Sequence, residues 1–342
     1  MAAQRIYPAL LVLQNSDMEN GRYEKNGRYE QVKAVIIGGG GFLGSHLVET
    51  LLANGQEVRV FDRPDAHYLE DARQRGAHII TGNFLDSNDL GNALLGCDVV
   101  YHLVSTTVPQ TSIEDPRYDV ESNLIGTLHL LEQMRRLDLK KIIFASSGGT
   151  VYGIPQEIPI KESHPTDPIS SYGITKLAIE KYLHLYWTLY GIEYCVLRIS
   201  NAYGARQPIT QTQGAIAAFL GKAVRKEEII IWGDGSVLRD YVYASDIANA
   251  FLQAALYQGD LKVFNIGSGS GHSLNDIIGA IENIIHIPLR IKYLPRRSFD
   301  VPINVLDISR ARSSLGWEPK VLLEEGILSA YKWIQQAQRN ES

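Results

Sequence analysis

From residue 32 onward, short apolar runs alternate with stretches whose apolar residues recur at helical spacing. The runs at 32–37, 57–61, 77–81, 98–101, 141–145 and 193–199 read as strands buried on both faces. Between them the spacing predicts helices at 42–53, 66–74, 87–95, 117–136 and 170–190. Strand–helix alternation with short connections predicts an α/β fold, a doubly wound parallel sheet with right-handed crossovers. After about residue 200 the rhythm becomes irregular. Helices are expected at 214–225, 244–257, 273–285 and 321–337, among short strands at 229–232, 238–243, 262–266 and 290–293. That pattern predicts a smaller mixed α/β lobe over 201–342, with 238–243 and 262–266 as candidates to extend the main sheet. Residues 1–31 contain a direct repeat, Asn20-Gly21-Arg22-Tyr23-Glu24 recurring as Asn26-Gly27-Arg28-Tyr29-Glu30. Two copies of five residues cannot make a solenoid, so 1–31 is expected to be a flexible extension ahead of a 32–200 domain.

Ligands in such sheets bind beyond the carboxyl ends of the strands. The first strand runs directly into glycines, with Gly38, Gly41 and Gly44 three apart and Phe42-Leu43 opening the helix. The first permits a tight turn, the second lets a pyrophosphate approach the backbone, and the third packs the helix against the strand. In a chain with 30 glycines such a triplet is weak alone. Asp62 strengthens it, because it ends the second strand about twenty residues on, where an acid binds ribose hydroxyls. A Rossmann-type dinucleotide site is the expectation.

Composition narrows the classes. The chain has 342 residues, 45% hydrophobic and 21% charged, with a net charge of −5. No basic stripe is available to offset phosphates, so a nucleic-acid partner is not expected. Cys97 precedes one strand and Cys195 lies in another; both read as buried thiols, neither a disulfide nor a metal pair, which fits a cytoplasmic protein. No metal site and no membrane partner are expected, since no apolar run approaches the ~20 residues needed to span a bilayer. The apolar Ala9–Leu13 is too short for a secretory core.

Tyr172 and Lys176 stand four apart at the start of the 170–190 helix and so share a face. Tyr29 and Lys33 show the same spacing by accident. A free tyrosine ionises near ~10, too high for a base at neutral pH. A fixed ammonium and a cationic nicotinamide ring would favour the phenolate, and a shift of ~3 units corresponds to ~4 kcal/mol. Such a phenolate can take the proton of a sugar hydroxyl while hydride leaves for the cofactor.

Together these residues resemble the extended short-chain dehydrogenase/reductases, and more closely the nucleotide-sugar epimerases typified by UDP-glucose 4-epimerase. The resemblance also rests on Asn123-Leu-Ile-Gly126-Thr127, Ser146-Ser147-Gly-Gly-Thr-Val-Tyr152-Gly153 and Arg198-Ile-Ser-Asn201-Ala-Tyr203-Gly204. It continues through Arg239-Asp240-Tyr241, Asn265-Ile-Gly267 and Pro295-Arg296-Arg297-Ser298-Phe299-Asp300. By that resemblance the cofactor is NAD, Asp62 binds its adenosine ribose, and Asn83 and Phe84 flank the adenine. Leu103, Val104 and Ser105 line the cofactor channel, and Asn123 supports the active-site helix. The resemblance further implies that Asn201 and Arg239 contact a nucleotide diphosphate, and Arg297 and Asp300 its phosphates and uridine ribose. Asn304 falls at a gate of the sugar pocket, where its modest size would admit an N-acetyl group. A homodimer through helices 117–136 and 170–190 is implied as well.

Three positions depart from the family pattern. Gly148 replaces the usual catalytic Ser or Thr, which leaves Ser147, Thr150 or a water; Ser147, at the strand end, is preferred. Asn83 replaces an aspartate beside adenine. Arg63 follows Asp62, and the aspartate would repel a 2′-phosphate, so NAD is favoured over NADP. The leading expectation is epimerisation at C4 of a UDP-sugar through a transient 4-keto intermediate. The alternatives are a nucleotide-sugar reductase, dehydratase or decarboxylase, or a non-catalytic sensor. Dehydration is disfavoured because Gly148, Gly149 and Thr150 occupy positions where those enzymes place an acid pair.

Overall fold

A computed structural model describes residues 22–25, 28–209, 214–295 and 301–341. Its centre is a seven-stranded sheet in which every neighbouring pair is parallel. The order across it is Val263–Ile266, Glu193–Ile199, Lys141–Ser147, Val99–His102, Lys33–Ile37, Glu57–Asp62 and His78–Thr81. The chain winds outward in both directions from Lys33–Ile37. The crevice at its carboxyl end, between that strand and Val99–His102, is therefore the topological switch point. Strands Lys33–Ile37 and Val99–His102 are apolar throughout or nearly so because helices cover both faces. Helices Phe42–Ala53 and Ala244–Leu256 fill one face, and Ser87–Leu94, Gly126–Arg136 and Ser171–Tyr190 fill the other.

The expected strands of the first 200 residues are present with small shifts of boundary. The helix expected from residue 66 begins at Leu69, because the Ala66 and Tyr68 amides donate to Arg63 O and Gly40 O. The 117–136 helix is built in pieces, Pro116–Asp119, a π-helical turn Val120–Ile125, and Gly126–Arg136. A helix at Pro109–Glu114 had no counterpart in the sequence reading.

Of the two candidates to extend the main sheet, only one does so. Val263–Ile266 pairs with Glu193–Ile199. Leu238–Tyr243 instead centres a separate small sheet with Asn201–Tyr203, Gly271–Ser273 and Ile303–Asn304. Short flanking strands were missed because two or three residues carry no periodicity. A third core, built on helices Ala215–Val224, Leu274–Ile285 and Leu323–Glu341, supports this second lobe. Within the N-terminal segment, Arg22–Lys25 and Arg28–Gln31 pair antiparallel, which sets the described parts of the two repeat copies side by side. The other residues of 1–31 lie outside the described residues.

Candidate active site

The glycine turn is shaped by what side chains would collide with. Gly38 has φ +91°, and a Cβ there would lie 2.9 Å from the Val104 amide nitrogen. A Cβ on Gly44 would lie 2.4 Å from Gly38 O, so helix and strand end touch backbone to backbone. Gly41 differs, since its Cβ would meet only Gly38 O at 3.5 Å and otherwise face open space. The helix Phe42–Ala53 starts there with no side-chain cap and no acid in its first turn. Its first N–H groups and dipole thus face outward, a donor set suited to a pyrophosphate. Phe42 and Leu43 are half-buried at that start, with Leu43 packed on the core.

Asp62 braces the turn. One carboxylate oxygen accepts from the Gly40 amide at 2.9 Å and the other from the Arg63 amide at 2.8 Å. Burial raises its pKa, while those two bonds pull the other way. Arg63 points to solvent, its Nε 3.3 Å from Asp65. Asn83 is exposed and its Oδ1 accepts from the Leu85 amide, closing an Asx turn. Phe84 lies against Gly126 and 5.4 Å from the His102 ring. Leu103 and Val104 line the crevice beside the glycine turn, the Leu103 amide bonded to Ile37 O.

Tyr172 stands in the first turn of Ser171–Tyr190, which Ser170 caps through the Gly173 amide; the Tyr172 amide itself donates to Ser112 Oγ. The Ser105 hydroxyl, after one strand, and the Ser147 hydroxyl, at the end of the next, lie beside its phenol and favour the phenolate, although Ser105 Oγ donates to Thr107 O at 3.2 Å. Burial nevertheless raises its pKa, and the Asp119 carboxylate adds to that. The expected lowering draws on two charges, the ammonium and the cationic nicotinamide ring, and the first of these, Lys176, is directed elsewhere. Its Nζ donates to Ala145 O at 2.9 Å and lies 4.8 Å from the Phe144 ring centre, against 5.6 Å from that of Tyr172. Burial pulls the ammonium down to about 8, with Asp119 and Glu180 opposing. A working phenolate therefore needs a further positive charge beside it.

Gly148 has a steric explanation. A Cβ there would lie 2.6 Å from Leu306 Cδ1 and 2.9 Å from Arg198 O, so the usual Ser or Thr does not fit. Ser147, one residue earlier, has its hydroxyl beside the Tyr172 phenol. Asn304, 3% exposed, donates from Nδ2 to Gly148 O at 3.2 Å. Its Oδ1 and the Thr150 Oγ1 are both buried, and neither has a hydrogen-bond partner among the described residues. Two orphaned polar atoms beside one turn leave hydrogen-bonding capacity there that the described residues do not fill.

In the small sheet, Arg239 pairs with Asn304 and Tyr241 with Asn201. Strand alternation sets Arg239, Asn304 and Asn201 on one face. Asn201 Nδ2 donates to Asp240 O. Arg297 and Asp300 lie outside the described residues. Asn123 is buried, its Oδ1 accepting from the Thr106 amide and its Nδ2 donating to Asp119 and Thr107, so it holds the 103–107 loop. Arg198, Tyr152 and Asn265 form a buried chain with Glu180 under the site (Arg198–Glu180 2.7 Å, Arg198–Tyr152 3.0 Å, Tyr152–Asn265 2.6 Å). Sequence reasoning missed Asp119, which carries no motif signal, and missed that Leu306 fills the space at Gly148.

The model of the NAD-dependent epimerase/dehydratase family matches residues 34–267, from the first strand through Asn265-Ile-Gly267. The chain belongs to this family. It is 38% identical over 307 residues to a putative UDP-glucose 4-epimerase of Methanocaldococcus jannaschii, covering 89% of this chain and 99% of that one. Among solved structures, the UDP-glucose 4-epimerase of Thermotoga maritima with UDP-glucose superposes with TM-score 0.84 at 36% identity. That match covers 90% of this chain and all of that one. The UDP-glucose 4-epimerase of Thermus thermophilus in complex with NAD gives 0.82 at 32% identity, with 90% and 100% covered. NAD is the family's cofactor, and the open Gly41, the uncapped helix start and Asp62 form a cradle that fits it. Among the described residues no cluster of His, Cys, Asp and Glu could hold a metal ion, and no helix is long and apolar enough to cross a membrane.

Proposed function

We propose that this protein inverts C4 of a UDP-sugar of the UDP-glucose/UDP-galactose type through a transient 4-keto sugar. The observation that carries the reading is the Tyr172 phenol, bracketed by Ser105 and Ser147 beside the cradle that fits NAD. Bound NAD would accept the C4 hydride and later return it, and its nicotinamide charge would favour the phenolate. Tyr172 takes the proton of the C4 hydroxyl and gives it back after the sugar has turned. Ser147 bonds the same oxygen, and Lys176 holds the nicotinamide ribose. Asp62 and the Gly38–Gly44 turn hold the rest of the dinucleotide.

The UDP half is assigned to the second lobe. Arg239 and Asn201 engage the diphosphate, an arginine fork suiting paired phosphate oxygens. Arg297 and Asp300 complete that set by family position. Remote contacts must supply most of the binding, because the sugar has to rotate freely between hydride transfers. Thr150 Oγ1 and Asn304 Oδ1, both buried and unpartnered, are assigned to sugar hydroxyls or an N-acetyl group. The face carrying exposed Tyr118, Ile125, Leu185, Leu189 and Tyr190 is assigned to a homodimer.

The test is incubation of the purified chain with UDP-galactose and no added reductant. UDP-glucose should accumulate to equilibrium, with NAD unchanged. A stoichiometric demand for added NADH would mark a reductase instead. Inactivity toward every UDP-hexose, N-acetylated and uronic forms included, would end the epimerase reading.

A further inference from the structure

One carboxylate ties the site together without touching it. Asp119 is fully buried at the end of Pro116–Asp119. One of its oxygens accepts from Thr107 and from Asn123 Nδ2 at 3.0 Å. The other accepts from Ser171 at 2.7 Å and Thr175 at 2.8 Å. Every donor is neutral, and the arrangement is the acceptor-only one of an ionised carboxylate. The first pair belongs to the loop after Val99–His102 that carries Ser105, and to the π-helical turn. The second pair belongs to the helix that carries Tyr172 and Lys176.

We infer that Asp119 is a positioning residue, which locks the Tyr172–Lys176 helix against the 103–107 loop and supplies one of two counter-charges to the buried Lys176 ammonium. This role rests on the proposed use of Tyr172 and Lys176. The geometry explains why a charge is kept where an amide would fill the same space. Burying a carboxylate without an ion partner is costly unless its lone pairs are filled, and here all are. The other counter-charge, Glu180, lies on the lysine's own helix and is shared with Arg198 from Glu193–Ile199 at 2.7 Å. From Val99–His102 comes only His102, which burial holds down at about 3 and which is therefore neutral. Tyr172 completes the surroundings as a neutral phenol. Glu180 divides its charge between Lys176 and Arg198, whereas every other partner of Asp119 is neutral; both carboxylates raise the Lys176 pKa against burial.

The test reads Lys176 directly. The full chain is labelled with lysine carrying ¹³C at the ε carbon, the resonance is assigned with Lys176→Arg, and its shift is followed against pH. The native midpoint is expected near 8. Asp119→Asn should lower it by about one unit, whereas Asp119→Glu should leave it near the native value. An identical midpoint in folded Asp119→Asn and native protein overturns the inference. Should Asp119→Asn not fold, Thr175→Val removes one donor and keeps the charge. It should then lower kcat about tenfold at constant KM, with Thr175→Ser restoring it; an unchanged kcat overturns the positioning role. A native chain that turns over no UDP-sugar, yet shows the displaced Lys176 titration, would sink the epimerase reading and leave this inference standing.

Discussion

Two turns at the carboxyl ends of the sheet strands, 38–44 and 147–153, are built in opposite ways. The glycine turn is made within seven residues by removing side chains, its shape set by contacts among Gly38, Gly39 and Gly44. The turn 147–153 is made by side chains that arrive from far along the chain. Leu306 occupies the space beside Gly148, Asn304 donates to Gly148 O, and Ile160 pairs with Val305 and Asp307 through backbone bonds of 2.8 Å. Val151, Tyr152, Ile160, Leu306 and Ile308 then close a small core beneath it. A cradle for a phosphate needs backbone and space, which a local sequence can specify. A site for proton transfer needs orientation, which takes neighbours. Binding and chemistry should therefore be separable by mutation.

The largest separation is expected from Tyr172→Phe. Turnover should fall about a thousandfold, within the range for loss of a general acid–base group, while NAD stays bound after gel filtration. Loss of NAD together with activity would show that the two halves are not independent.

Lys176→Met tests whether the catalytic half is held at a cost. Burial lowers the lysine from 10.5 to about 8, so the folded chain binds its proton less readily than the unfolded one. Below about 8 that disfavours the native state by about 3 kcal/mol. Between about 8 and 10.5 the unfolded state binds more protons, and native stability rises with pH. The variant should thus be inactive yet more stable than the native chain to urea near neutrality, its advantage shrinking as pH rises. A variant less stable at neutrality would mean that the Ala145 O bond and packing on Phe144 outweigh the buried charge.

Gly44→Ala strikes the other half. Its Cβ would meet backbone at 2.4–2.6 Å, which no rotamer can relieve. The strain, about 1–3 kcal/mol, should weaken NAD by up to about a hundredfold in equilibrium titration. Unchanged affinity would remove the steric account of the turn.

This contrast also decides what could be read from the chain. Strands of the main sheet declare themselves as apolar runs, and Gly38, Gly41, Gly44 and Asp62 lie at fixed local offsets. Tyr172 and Lys176 are one helical turn apart, so their neighbourhood was legible too, though not the bond of the ammonium to Ala145 O, which the fold supplies. Asp119 was invisible because its four donors come from positions 107, 123, 171 and 175, joined only by the fold. Likewise the strand Leu238–Tyr243 has the same apolar character whether it joins the main sheet or a small one. Its register with Ile303–Asn304, which brings Arg239 beside Asn304, is a long-range fact.

The smallest expected effect bears on where the hydroxyl comes from. Gly148→Ser restores the family's usual side chain but drives it against Leu306 and Arg198 O, and should destabilise by about 1–2 kcal/mol. Leu306→Ala opens a cavity at the same spot, so the double variant should lose less than the two singles summed. Ser147→Ala in the native background should lower turnover about a hundredfold. If the Gly148→Ser/Leu306→Ala pair recovers part of that loss, a hydroxyl from either position serves the phenol, and Leu306 is what moved the role to Ser147. If Ser147→Ala leaves turnover intact, the hydroxyl at the reacting oxygen is not Ser147, and the orphaned Thr150 Oγ1 becomes the group to remove next.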